Sequence, residues 1–259
     1  MSGRERVFRT EAVVLRRLDL GEADRLVTVY TPDRGKLRLL AKGVRRTKSR
    51  KAGHLEPLTR TLLLIARGRE LDLVTQAEAI EPFPGLRNDL LRLGHATYAL
   101  ELVDRFTIEE GESRALYQLL VATLGRLEKG REPFAVLRFF EVHLLETAGY
   151  RPELFRCLGC GAVAQPQDQF FAATLGGVLC PTCGPKHPGT RTLSLSALKV
   201  LRHLQRSAFE AAAAPAIRPA IRLEVERLLE EYIAAILERR LHTPAFLQAV
   251  HRLEPGPAG

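Results

Sequence analysis

The hydrophobic period changes once along this chain. Up to about residue 80, apolar residues come in short β-branched runs or alternate with charged ones. Glu11–Arg16 and Arg25–Thr31 predict two strands, and Thr31-Pro32-Asp33-Arg34-Gly35 supplies the turn that ends the second. Leu37 and Leu39 alternate with Lys36 and Arg38, so Lys36–Lys42 predicts a third strand, paired with the second as a hairpin. A connection rich in charge follows, from Gly43 to Pro57. Leu58–Ala66 and Glu70–Ala79 flank Arg67-Gly68-Arg69 and predict a second hairpin. Five strands with one long connection predict a small closed barrel. An OB-fold and an SH3-like barrel both fit that pattern.

Pro82 and Pro84 mark the switch to a helical period. From Leu86 the apolar positions recur three and four apart, predicting helices over Leu86–Thr107, Glu112–Lys129, Pro133–Ala148, Ser196–Phe209 and Arg218–Arg240. Asn88 and Asp89 suit the start of the first, and Pro133 and Gly149 suit the start and stop of the third. A short last helix is expected over Thr243–Leu253, and a disordered tail over 254–259.

Composition narrows the class. With 46% hydrophobic and 27% charged residues, the 259-residue chain is not broadly disordered. No apolar run approaches the roughly 18 residues of a membrane span. The opening MSGRERVFRTE has charges where a signal peptide has its apolar core, so the chain is expected in the cytoplasm. The net charge is +9, and its distribution matters more than its size. Residues 1–80 hold 18 Lys/Arg against 10 Asp/Glu, whereas residues 81–259 hold 21 against 20. Arg34 to Lys51 carries nine basic residues and no acidic one. A local field of this kind attracts a polyanion, and nucleic acid is the expected one. The candidate contacts are Lys36, Arg38, Lys42, Arg45, Arg46, Lys48, Arg50 and Lys51. Phe8 and Tyr30 are the only Phe, Tyr or Trp among residues 1–80, so base stacking on aromatics should be minor and phosphate contacts dominant.

Cys157-Leu-Gly-Cys160 and Cys180-Pro-Thr-Cys183, 19 residues apart, have the spacing of a zinc ribbon or knuckle. Four thiolates leave no vacancy for water, so a structural Zn²⁺ is expected and His187 is not needed as a ligand. Phe170–Ala173 and Gly176–Leu179 predict a hairpin between the pairs. The zinc nucleobase deaminases combine H-x-E with P-C-x-x-C. His54-Leu-Glu56 matches the first part, but no Pro precedes Cys157 or Cys180, and that chemistry is set aside. The usual phosphate-loop, dinucleotide, zinc-protease and nucleophile-elbow motifs are absent, so no enzyme is expected. Glu141 and His143 have no evident partner. Asp19, Glu22 and Asp24 lie among Arg16, Arg17 and Arg25 and read as a salt-bridged loop rather than a Mg²⁺ site.

Glu11–Arg17, Gly21–Thr28, Gly35-Lys36, Ala41–Arg46, Lys48-Ser49 and Ala77-Glu78 resemble the N-terminal region of the RecO family, bacterial mediators of recombination and repair. The order helical segment, four cysteines, helical segment resembles the members that keep a zinc site. The resemblance implies an α+β chain. Residues 1–82 would form an OB-fold DNA-binding domain, and 83–150 and 190–253 the two parts of a helical domain interrupted by a zinc module at 151–189. It also implies binding of single- and double-stranded DNA, strand annealing, a complex with RecR, contact with the C-terminal tail of SSB, help in loading RecA, and a place at the nucleoid. Arg202, Arg206 and Arg222 are the candidate rim of a groove for the SSB tail. The alternative is a basic zinc-ribbon protein of RNA or the ribosome, which Val44–Lys51 would serve equally.

Overall fold

The computed structural model describes residues 6–109, 111 and 113–237. The expected last helix and tail lie outside them. The chain divides into two compact units, one running to Arg131 and the other starting at Glu132.

In the first unit, β1 (Val7–Leu20), β2 (Asp24–Thr31), β3 (Gly35–Ala41), β4 (Arg60–Ala66) and β5 (Asp72–Glu81) form a closed barrel in the order β1-β2-β3-β5-β4. β4 closes onto β1, and β3 runs parallel to β5 while the other pairs are antiparallel. This is an OB-fold. β1 is longer than its apolar run because it serves both neighbours. Its first half pairs with β4 from Val7 to Val13 and its second with β2 from Val13 to Leu20, with a register shift between Val14 and Arg16. Leu39, Val27, Val29, Leu63, Ile65 and Val74 fill the interior from alternate strand positions. Val44 and Leu55 join them from the charged connection, so that segment is not simply a solvated loop. A 3-10 turn at Ala52–Leu55 carries Leu55 inward.

α1 (Pro84–Arg87), α2 (Leu90–Phe106) and α3 (Arg114–Glu128) complete this unit. Asp89 and Ser113 cap α2 and α3 by accepting from the backbone N–H groups of Arg92 and Leu116. α2 packs on β1 and α3 on β2. Tyr30 is fully buried, and burial pushes its phenol up to about 12.

The second unit opens with α4 (Pro133–Thr147), which is buried almost along its length. Around it pack α5 (Leu195–Arg206), α6 (Phe209–Ala213) and α7 (Pro219–Leu237). The helix expected over Ser196–Phe209 breaks at Ser207. That residue takes an extended backbone, and its hydroxyl lies 3.0 Å from His203 Nδ1. Between α4 and α5 lies a three-stranded sheet, β7-β6-β8, from β6 (Gln169–Ala172), β7 (Gly177–Leu179) and β8 (Arg191–Leu193). The first two are the predicted hairpin, and β8 had no alternating pattern to announce it.

Candidate metal centre and nucleic-acid interface

The four cysteines come together. All four Sγ atoms lie within 4.8 Å of one another, and Cys160 and Cys180 are 3.9 Å apart. A tetrahedral Zn²⁺ with bonds of about 2.3 Å requires sulfur–sulfur edges of about 3.8 Å, so the cluster has the size of such a site. Two matching turns build it. The N–H of Gly161 donates to the carbonyl of Cys157 (2.8 Å), and that of Gly184 to the carbonyl of Cys180 (2.8 Å). Each C-x-x-C-G thus closes on itself and points two thiols the same way. A Cβ on Gly184 would sit 2.3 Å from the Phe170 ring, which explains glycine there.

Without a cation the four thiols do not ionise alike. Burial opposes ionisation of Cys157, but N–H groups of Cys180, Cys160 and Gly159 outweigh it and bring the thiol down to about 6. Its neighbour Cys183 is pushed up to about 12, chiefly by its hydrogen bond with Cys180. Four thiolates this close repel one another. Only a bound cation lets all four ionise together. The geometry and the donor set therefore fit a metal ion held by Cys157, Cys160, Cys180 and Cys183.

The basic residues behave less uniformly than their spacing suggests. Leu37 and Leu39 point inward and Lys36 and Arg38 outward, as the alternation predicts. Lys36 nevertheless meets α2: its Nζ donates to the Asp104 carbonyl (2.6 Å) and lies 3.3 Å from the Asp104 carboxylate. Lys51 is also committed. Its Nζ donates to the carbonyls of Lys42 (3.2 Å) and Val74 (3.0 Å), and burial lowers its pKa. Arg45 braces the β1–β2 turn through the Gly21 carbonyl (2.8 Å) and Asp19 (3.4 Å). Arg38 is 46% exposed, with Glu109 at 3.7 Å. Lys42, Arg46, Lys48 and Arg50 are exposed, and no carboxylate lies within 4 Å of them among the described residues. So the structure keeps five of the eight candidates open to a polyanion and uses three to hold the connection and the strand in place.

The remaining motifs resolve into packing. His54 Nδ1 accepts from the Ala79 N–H (3.1 Å), and Glu56 pairs with Arg17 and Arg25. Asp19 pairs with Arg25 at 2.8 Å, and Asp24 accepts from the Gly43 N–H at 2.7 Å. Glu141 is fully buried against Arg138 (2.8 Å). A cleft of about 600 Å³ in the first unit is lined by Arg9, Arg60 and Arg114. Arg60 is paired with Glu11 and Glu81 and Arg114 with Asp33, which neutralises most of that charge. In the second unit, Arg202 and Arg206 share the Phe155 ring, at 4.9 and 3.8 Å from its centroid. Arg222 is tied to Glu132 (2.9 Å) and to the Ile217 carbonyl. Among the described residues, no helix is long and apolar enough to cross a membrane. One basic feature lay outside the run of candidates: Arg67 and Arg69 at the β4–β5 turn are exposed.

A closed OB barrel with an open cationic connection, in one chain with four clustered cysteines that could hold a metal ion, defines the class: an OB-fold protein with a candidate metal centre. Residues 2–83 match the family model described as Recombination protein O N terminal, and residues 87–245 match Recombination protein O C terminal. The chain therefore belongs to the RecO family of recombination and repair proteins. It is 45% identical over 250 residues to DNA repair protein RecO of Roseiflexus sp. (strain RS-1), covering 96% of this chain and 88% of that one. It is 40% identical over 241 residues to DNA repair protein RecO of Desulforudis audaxviator (strain MP104C), covering 93% and 96%. The same name is carried by a relative from Dehalococcoides mccartyi (strain CBDB1), 37% identical over 232 residues, covering 90% and 91%.

Proposed function

We propose that this chain is a non-catalytic mediator of DNA repair and recombination that binds single- and double-stranded DNA through its phosphates and anneals complementary strands. The observation that carries this reading is the set of open cations, Arg38, Lys42, Arg46, Lys48 and Arg50, on an OB barrel of a RecO-family chain. Phe8 and Tyr30 are buried, at 6% and 0% exposure, so neither ring offers a face to a base. Phosphate contacts leave base edges free to pair, while neutralising charge lets two strands approach.

The cysteine cluster would hold Zn²⁺ as a structural ion, contributing folding energy to a sheet of three short strands. The chain would act in the cytoplasm at the nucleoid, with RecR and SSB, to help load RecA. The Phe155 ring with Arg202 and Arg206 supports a seat for the acidic, aromatic-ended tail of SSB, because it joins an apolar surface to two cations. The test is a titration against single- and double-stranded DNA and RNA across salt, with an annealing assay alongside. Tight salt-dependent DNA binding with annealing is the expected result. Equal or better binding to RNA without DNA annealing would overturn it in favour of an RNA-associated role.

A further inference from the structure

Two arginines from different turns, Arg34 of the β2–β3 turn and Arg67 of the β4–β5 turn, lie on one phenyl ring of β1. Arg34 Cζ is 4.0 Å and Arg67 Cζ 5.0 Å from the centroid of Phe8, whose ring belongs to the barrel core. The arrangement is braced. Asp72 accepts from the Arg67 guanidinium (2.9 Å) and from the Gly68 N–H (3.1 Å), and the Arg67 N–H donates to the Arg6 carbonyl (2.9 Å). Gly68 has no room for a side chain, since a Cβ would lie 1.8 Å from the Leu71 carbonyl oxygen. The turn is therefore held tightly. Arg34 has no carboxylate within 4 Å among the described residues, and Arg6 and Arg69 are exposed. Leu39 of β3 pairs with Asp72, and β3 runs on from there into the cationic connection at Lys42. The turn and the connection are thus linked by one strand.

An arginine side chain normally loses considerable rotamer freedom when it binds. Here Phe8 and Asp72 hold the two guanidiniums before any ligand arrives, with Arg67 still 39% exposed. A guanidinium plane backed by a ring can stack a nucleobase on its outer face and bond a phosphate at its edge. We propose that the Arg34–Phe8–Arg67 stack is a base-stacking contact for single-stranded nucleic acid, replacing the exposed aromatics that this barrel lacks. It rests on the DNA-binding reading above and adds base contact to it. The strand would run along β3, with phosphates on the connection and an unstacked base at the β4–β5 turn.

The experiment compares the full chain on an oligodeoxythymidylate and on an abasic strand of equal length, which keeps the phosphates and lacks the bases. Wild type is expected to prefer the base-bearing strand by about tenfold. R34K with R67K keeps the charge and removes the planes. It should bring the ratio to about one while leaving the salt slope and the melting temperature as in wild type. Should that double variant fail to fold, R34Q alone, which breaks no ion pair, should still reduce the ratio and the quenching of 2-aminopurine placed in the strand. Equal wild-type affinity for the two strands, or an undiminished ratio in the variants, would overturn the stacking contact. Failure to bind either strand at low salt would instead overturn the DNA-binding reading itself.

Discussion

Replacing Arg46, Lys48 and Arg50 together by Ala tests the phosphate interface most directly. Five open cations, at about 0.7 per contact, give a slope of log K against log salt of about −3.5 for single strands. Raising salt from 50 to 200 mM should then weaken wild-type binding about 130-fold. The triple variant keeps two contacts, so its slope should be about −1.4 and the same change should cost about sevenfold. Its stability should stay close to wild type, because the three side chains are exposed and have no ion partner among the described residues. Lys51→Ala is the matched control. It removes one charge of the same run, but that charge is spent on the Lys42 and Val74 carbonyls. It should lower stability by about 1–2 kcal/mol and change the slope by less than one contact. Reversing Arg45 is a poorer probe, because a glutamate there would face Asp19 and loosen the β1–β2 turn. Fluorescence anisotropy across salt reads the slopes, and thermal melting reads the fold. If Lys51→Ala flattens the slope as much as the triple variant, or the triple variant leaves it unchanged, the phosphates do not lie on this connection.

Cys157→Ser or Cys180→Ser should abolish metal content and speed hydrogen exchange across residues 151–189, with barrel amides unaffected; retained stoichiometric metal would count against a four-thiolate site. Arg138→Met should destabilise by about 3–5 kcal/mol in urea titration because it removes the paired charge from the buried Glu141 carboxylate, and adding Glu141→Leu should recover part of that loss. Asp19 is held below its ordinary 3.8 chiefly by the Arg25 hydrogen bond, opposed by slight burial and helped by the charge of Arg45. Its folded pKa is depressed, so its stabilisation is complete above 3.8 and fades as pH falls through the folded value. Asp19→Asn should therefore lower stability at neutral pH and make acid unfolding less steep, whereas a parallel loss at every pH would refute the ion pair.

Much of this protein is local and therefore legible in the chain. The alternation of Lys36, Leu37, Arg38 and Leu39 orients β3 because successive side chains must leave opposite faces of a strand. The two C-x-x-C pairs announce the four-thiol cluster because two intervening residues suffice for a turn that converges two sulfurs. The helix start at Pro133 follows from its fixed dihedral, whereas the long helix expected from Leu86 begins only at Leu90, capped by Asp89, after the separate short helix Pro84–Arg87. What distant segments do to one another had to come from the fold. Barrel closure through β4 and β1, and the doubled length of β1, depend on pairings tens of residues apart. The same holds for charge. Lys36, Lys48 and Lys51 are alike in sequence, yet Asp104 claims the first, the Lys42 and Val74 carbonyls claim the third, and Lys48 stays exposed. A cation's availability is set by which acceptor the tertiary structure brings within about 3 Å of it. Proximity in sequence could define the field of Arg34–Lys51, and only the folded chain could decide which of its charges remain free to meet another molecule.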